Sequence, residues 1–534
     1  MGLFEKIKGA FGKMGEKFAA PQTVKDIFDI NGVPSFRQFY ESGILIWKRI
    51  YRGYYSQWHD VKAPTINDSG AKRRRDTLNA GKAVCSELAG LIWAERCSVG
   101  VSRKDYKADE KHPDKLAAFV EHVLNENNFN TKMREHIEQV MALGGGTLKT
   151  WCDIKKDENG ADIKGSEKIK VGYGMADQFV PLAWNNAEVT EGVFISREAK
   201  AGYYYTRLEF HHWDGSEYVI SNELYRHKIG SSENQDIFGE RVPLNELYVN
   251  LSSEAKVSGL QRSLFSYYRT NIANNLDDNS PLGVSIYANA LSTLKALDVC
   301  FDSFVREFTL GKKRIIVPSS AIRYVNNPDT GQRCRYFDAD DEVYEAMDTD
   351  DLESLQIKDN TVELRVEEHE AAINAFLGIL SFQLGLSPGT LTFDKVEGLK
   401  TATEVISEKS KTYKTVKQHQ SSVEEAVKKL VRNIIDVAIL YGIEYEGESV
   451  ESLAAGGYDI AIFFDDAIIQ DRQTNINEGV LLVSNSLMSK KKFMTDKLGY
   501  TPEEADAELG QIAAESNITG ATIDFSTLFP KGGS

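Results

Sequence analysis

Asp465, Asp466 and Asp471 are of a type and spacing that could hold a divalent cation, the equipment of a metal-dependent nuclease. A turn leading from a strand into a helix accounts for the same residues without a metal. Glu367-Glu368-His369-Glu370 carries ligand types but lacks the HExxH spacing that puts two imidazoles on one helical face, so it reads as a polar helix face. His211 and His212 are neighbours in an alternating stretch; adjacent side chains of a strand point to opposite faces and cannot share one ion. Asp277-Asp278-Asn279 has neither the glycine nor the distal glutamate of an EF-hand loop. Gly144-Gly145-Gly146 with Lys149 departs from the phosphate-loop spacing and runs from helix into strand, so a helix stop is the simpler reading. There is no GxSxG, no Cys/His nucleophile pattern and no dinucleotide fingerprint. Neither a catalytic site nor a cofactor is expected, and the chain is not expected to be an enzyme.

The composition agrees with a structural role. At 534 residues the chain is too long for one core, and its 42% hydrophobic content calls for a folded protein. A net charge of −16 opposes a general nucleic-acid binder, which normally carries a positive footprint. It does not oppose a conduit, because an acidic wall repels phosphate and lets a duplex slide past. Five scattered cysteines without metal spacing read as ordinary buried thiols in a reducing compartment. No apolar run reaches the ~20 residues needed to span a bilayer. Residues 1–18 place Leu3, Phe4, Ile7, Phe11 and Met14 along one helical face, and an arm that docks on a partner is preferred to a membrane helix.

The elements that must position any site follow from periodicity. Lys72-Arg73-Arg74-Arg75 precedes a helical pattern from Leu78 to Ile92; it reads as a solvated charge run, with an acidic partner or DNA as the alternative. Helices are expected near 114–126 and 130–143. From 147 to 250 the period changes to two, with a hairpin joined through Asp214-Gly215 and another at Asn159-Gly160. Two long amphipathic stretches, 284–310 and 362–385, then flank a short acidic insert with a strand at 314–317 and a turn at 327–331. About fifty residues of insert between two rods describe a stalk with a small domain at its tip. Thr401-Ala402-Thr403-Glu404 is a capping box opening a helix that keeps its period to about 440, or about 60 Å. A strand at 460–464 and a second capping box at Thr501-Pro502-Glu503-Glu504 follow.

This order of elements resembles the portal proteins of tailed bacteriophages, those of long-tailed phages of Gram-positive hosts in particular. The segments carrying the likeness are Asn274-Asn275, Ser280-Pro281-Leu282-Gly283 to Tyr287, Leu297-Asp298 to Arg306-Glu307, Leu384-Gly385-Leu386-Ser387 and Thr401 to Val405. The resemblance implies an α+β protomer with a wing (1–283), a stem (284–310 and 362–386), a clip (311–361) and a tunnel loop (387–400). It also implies a long wing helix and strand (401–470) and a helical crown and tail (471–534).

Such a protomer assembles as a homo-oligomeric ring, usually a dodecamer, at one capsid vertex. Double-stranded DNA is packaged and ejected through it. The implied partners are the terminase large subunit, head–tail adaptors, scaffold and major capsid protein, with no membrane. The implied location is the virion, after assembly in host cytoplasm. Asp394, Lys395 and Lys400 in the loop and Lys312, Lys313 and Arg314 after the first stem helix become candidates for transient DNA contact, with salt bridges between neighbouring subunits, or from 312–314 to Asp340 and Asp341, as the alternative. Asp338, Asp340, Asp341 and Asp350 become candidates for partner docking at the clip. An oligomeric virion or adaptor protein without a DNA channel is the alternative, with the nuclease behind it.

Overall fold

The computed structural model describes residues 39–63, 70–106, 113–155, 163, 165–186, 188–230, 238–249, 251–277, 280–311, 363–392, 402–464, 480, 483, 489–495 and 500–519, with short strands at 315–316, 323–326, 333–336 and 358–359. It mixes helix and sheet, as an α+β chain should. Two compact units are present: one comprises 1–51, 81–289 and 381–534, the other 52–80 and 290–380.

The larger unit is built on antiparallel sheets. Phe179–Asn185, Glu188–Lys200, Tyr203–Asp214, Glu217–Lys228 and Glu240–Val242 lie side by side, with Glu254–Val257 also pairing with Glu217–Lys228. The Asp214-Gly215 hairpin forms as expected: Asp214 pairs with Glu217, and Gly215 adopts φ +67°, where a side chain would be strained. Gly145–Asp153 sits between Lys168–Met175 and Phe265–Arg269; the expected turn at Asn159-Gly160 lies outside the described residues, but the strands on either side of it pair. Tyr458–Phe463 pairs with Ser98–Arg103.

Helices Lys115–Glu126 and Phe129–Leu143 match the apolar period. Asp114 caps the first by accepting from the Leu116 amide. Gly144 ends the second at φ +89° with its amide on the Val140 carbonyl.

Ala402–Leu440 forms one helix of 39 residues, about 58 Å long. Val416, Val423, Val427, Leu430 and Ile434, which recur every three to four or seven positions, are all buried, so this helix is a core element of its unit. The side chains at its first turn, with the Thr401–Glu404 box, lie outside the described residues. The Thr501 box is present in both halves: the Thr501 amide donates to Glu504 at 2.8 Å, and the Glu504 amide donates to the Thr501 hydroxyl at 3.2 Å.

Buried histidines give this unit an acid-labile character. Burial pushes His136 down to about 3 and His419 down to about 4. The unfolded chain takes up these protons below about pH 6.5, whereas the folded one refuses them until pH 3–4. Stability contributed by the neutral rings is therefore present above pH 6.5 and lost as the pH falls toward 4. We expect His136→Phe to flatten the decline of melting temperature between pH 6.5 and 4, by a few kcal/mol of pH-dependent stability. An unchanged pH profile in that variant would contradict the assignment.

The smaller unit contains the first rod, the second as far as Leu380, and the short strands. Ile315–Ile316 pairs with Lys358–Asp359, within the strand expected at 314–317, and Arg323–Asn326 pairs with Arg333–Tyr336; the turn expected at 327–331 lies outside the described residues. The first rod is Leu291–Leu310 and the second Val366–Gln383. The expected helical start at 284 is thus corrected to Leu291, after a single turn at Ala288–Ala290. Backbone groups of 284–286 are already committed elsewhere: the Val284 carbonyl accepts from the Thr270 hydroxyl at 2.6 Å, and the Ile286 amide donates to the Met141 carbonyl at 3.0 Å. Apolar spacing continues through this stretch because its side chains are buried, not because it is helical.

Candidate functional site

The rods are where the resemblance places a channel wall, and their chemistry begins with a strap. Residues 56–59 form a helical turn, after which Asp60–Lys62 pairs with Lys72–Arg74. This hairpin brings the basic cluster onto the first rod. Both Arg73 terminal nitrogens donate to Asp302 at 2.6 Å, Arg75 stands 3.8 Å from the same carboxylate, and the Asp76 amide donates to it at 3.1 Å. One turn earlier, Asp298 accepts from the Thr77 hydroxyl at 2.8 Å and the Leu78 amide at 3.0 Å, with His59 Nε2 at 3.1 Å.

The hydrogen bonds and charge of Arg73 hold the Asp302 carboxyl below its ordinary range, against the opposing effect of burial. The reading of 72–75 as a solvated charge run, or as a face for DNA, is corrected for Arg73 and Arg75: they clamp a strap to the rod. Arg74 stacks 4.5 Å over the Tyr54 ring.

At the other end, Arg365 Nη2 donates to Glu307 at 2.8 Å and Nε at 3.1 Å, tying the second rod to the first. The hydrogen bond from Arg365 lowers the Glu307 carboxyl to about 2. Glu367, Glu368 and Glu370 are exposed, a polar helix face as expected, whereas His369 packs against Phe304, ring centres 5.5 Å apart. Asp298, Asp302 and Glu307 were missed as individual residues. Their signal was spacing: they recur four or five positions apart on the mainly apolar Leu297–Glu307 segment.

The root of the loop that follows the second rod is also built. The Gly385 amide donates to the Phe382 carbonyl at 3.2 Å and the Leu386 amide to the Ser381 carbonyl at 2.8 Å, with Gly385 at φ +73°. This is a glycine stop that satisfies the last helical carbonyls. Thr415 donates to the Gly385 carbonyl at 2.7 Å, and the Ser387 amide donates to the Thr412 hydroxyl at 2.8 Å, so the loop leaves from a point fixed on the long helix.

Apolar surface is what the rods leave unsatisfied. On the second rod Ile373, Leu377 and Leu380 are buried, yet Ile379 is 47% and Phe382 75% exposed. On the first, Leu294 and Leu297 are buried while Phe308 is 48% exposed. A helix apolar on more than one side belongs in an interior.

The DNA-contact candidates Lys312, Lys313, Arg314, Asp394, Lys395 and Lys400 lie outside the described residues. So do the docking candidates Asp338, Asp340, Asp341 and Asp350, and the possible metal ligands Asp465, Asp466 and Asp471. Among the described residues, no group of three or more His, Cys, Asp or Glu could hold a metal ion, and no helix is long and apolar enough to cross a membrane. His211 and His212 are both buried in one strand, where His211 Nε2 donates to Glu209 at 2.8 Å.

Comparison with curated proteins gives no match. A family model described as phage portal protein, SPP1 Gp6-like, matches residues 44–519. That span takes in the antiparallel sheets, both rods with their insert, the long helix and the helix opened by Thr501. The chain therefore belongs to the SPP1 Gp6-like family of phage portal proteins.

Proposed function

We propose that copies of this chain pack their rods side by side around an axis, forming a closed ring, usually a dodecamer, at one capsid vertex. As a portal protein it is a virion structural protein of DNA packaging, and a DNA-channel role follows from the family. In this reading 1–283 is the wing, 284–310 with 362–386 the stem, 311–361 the clip and 387–400 the tunnel loop. The long wing helix and strand occupy 401–470 and the crown and tail 471–534.

Lys395 and Lys400, with Asp394, touch the passing duplex weakly, and Lys312, Lys313 and Arg314 do so from just beyond the end of the first stem helix. The charges Asp394 and Glu397 nearly balance Lys395 and Lys400; strong neutralisation of phosphate would stall translocation. The acidic residues Asp338, Asp340, Asp341 and Asp350 dock the terminase large subunit and later the head–tail adaptors. Scaffold and major capsid protein meet the assembled ring, which forms in the host cytoplasm. The protein moves no bonds itself.

The observation that carries this reading is the exposure of Ile379 and Phe382 on a rod whose Ile373, Leu377 and Leu380 are buried. Burying a large apolar side chain is worth about 1.5–3 kcal/mol, and a ring repeats that gain at every subunit contact. We expect native mass spectrometry to show one closed multimer for the natural chain and monomers for Ile379→Asp with Phe382→Asp. Far-ultraviolet circular dichroism should stay unchanged. Multimers that persist in the double variant would remove the rods from the contact.

A further inference from the structure

A cavity of about 350 Å³ opens within the larger unit, between the long helix, strand Phe265–Arg269 and the adjoining ends of Glu188–Lys200 and Tyr203–Asp214. The helix offers it Lys429, Arg432 and Asn433, which share one face at spacings of three and four. Asn433 is 1% exposed, yet neither its amide nitrogen nor its oxygen has a hydrogen-bond partner among the described residues. The hydroxyl of Ser266, 3% exposed and on the same wall, is likewise unpartnered. Each such orphan costs about 1–3 kcal/mol if left unmet, and native interiors leave few.

The charges around the cavity are not balanced. Lys429 pairs with Glu188 at 2.6 Å, and Arg262 with Asp436 at 3.2 Å. Arg432 makes no ion pair within 4 Å among the described residues, although Asp436 lies near enough to feel its charge. Arg432 is thus the lining cation without a carboxylate within 4 Å among the described residues, and it stands beside a planar amide that can donate and accept at once. Trp213 and Tyr267 supply flat apolar walls. A volume of this size, lined mostly by polar and charged side chains beside two aromatic walls, suits a small polar ligand rather than an apolar one.

We propose that this cavity binds a carboxylate carried next to a peptide amide, as in an acidic or carboxyl-terminal residue of a peptide. Arg432 takes the carboxylate through its forked guanidinium, a match in geometry as well as charge. Asn433 clasps the neighbouring amide, donating to its carbonyl and accepting from its N–H, while Ser266 fills a remaining polar position. Nothing in this proposal depends on the rods or on a ring.

The test is calorimetric titration of the full chain with N-acetylaspartate, with inorganic phosphate in a parallel arm. Binding of the acetylated amino acid is expected, weakened at least tenfold by Arg432→Gln and by Asn433→Leu. Asn433→Ser, a smaller change, serves if the leucine variant does not fold. Absence of binding, equal binding in the variants, or phosphate binding as tightly as the amide-bearing carboxylate would each overturn the proposal.

Discussion

Asp302→Ala is expected to destabilise the smaller unit by about 3 kcal/mol and to free the strap at 52–80 for proteolysis. Asp302 is 4% exposed and receives two Arg73 nitrogens and the Asp76 amide, with Arg75 beside it. Removing the carboxylate strands two guanidinium groups against the rod and leaves a backbone N–H without its acceptor. Both arginines retain some access to water, which keeps the cost at the lower end of the range for a broken buried pair.

Asp302→Asn, which keeps an acceptor but loses the charge, should cost less. Since the native carboxyl titrates below its ordinary range, its contribution is present above the unfolded value near pH 3.9 and lost in acid. Urea unfolding with limited proteolysis measures both effects. Natural stability and a protected strap in Asp302→Ala would show that the clamp does not hold the hairpin.

Glu209→Gln should lower stability by about 3–5 kcal/mol. Glu209 is the only carboxylate within 4 Å of the Lys149 ammonium among the described residues, with Nζ 2.8 Å from each of its oxygens. It also accepts from Arg207 at 2.7 Å and from His211 Nε2 at 2.8 Å. His211 stays neutral because burial lowers its pKa, so Nε2 carries the proton and Nδ1 accepts from the Tyr218 hydroxyl at 2.8 Å.

Burial also pulls the Lys149 ammonium below its ordinary range, and the Glu209 charge is what opposes that shift. Once Glu209 is neutral, Lys149 either stays charged without a counter-ion or gives up its proton. Both routes cost stability. Replacing Lys149 by Met together with Glu209→Gln should cost less than the two single losses summed, because the amide oxygen still accepts from Arg207 and His211 while no unpaired ammonium remains. Thermal unfolding of the single and double variants decides the matter; additive losses would mean that the two residues do not act as a pair.

The features legible in the sequence were those written in neighbouring residues. Asp214-Gly215 specifies a tight hairpin whatever surrounds it, and Thr501 with Glu504 close a box within one helical turn. The long helix announced itself through the spacing of Val416, Val423, Val427, Leu430 and Ile434. The rods were legible as apolar rows, but the start of the first was not. Val284 to Tyr287 keep the spacing of a helix while their backbone bonds to Thr270 and Met141, partners remote in sequence.

For the same reason Arg73 and Arg75 were misread, while Lys72 and Arg74 are exposed as expected. Nothing near Arg73 and Arg75 reveals an acceptor on a rod more than two hundred positions away. Nor could spacing separate Asn433 from its buried neighbours on the long helix, since its significance lies in what its amide does not meet.

The central claim is that the rods complete their burial only against identical neighbours around an axis. Electron microscopy of the purified full chain, negatively stained, tests it most directly. The account predicts closed rings with an axial hole wide enough for duplex DNA. A compact monomer at every protein and salt concentration, with Ile379 and Phe382 still open to solvent, would contradict it.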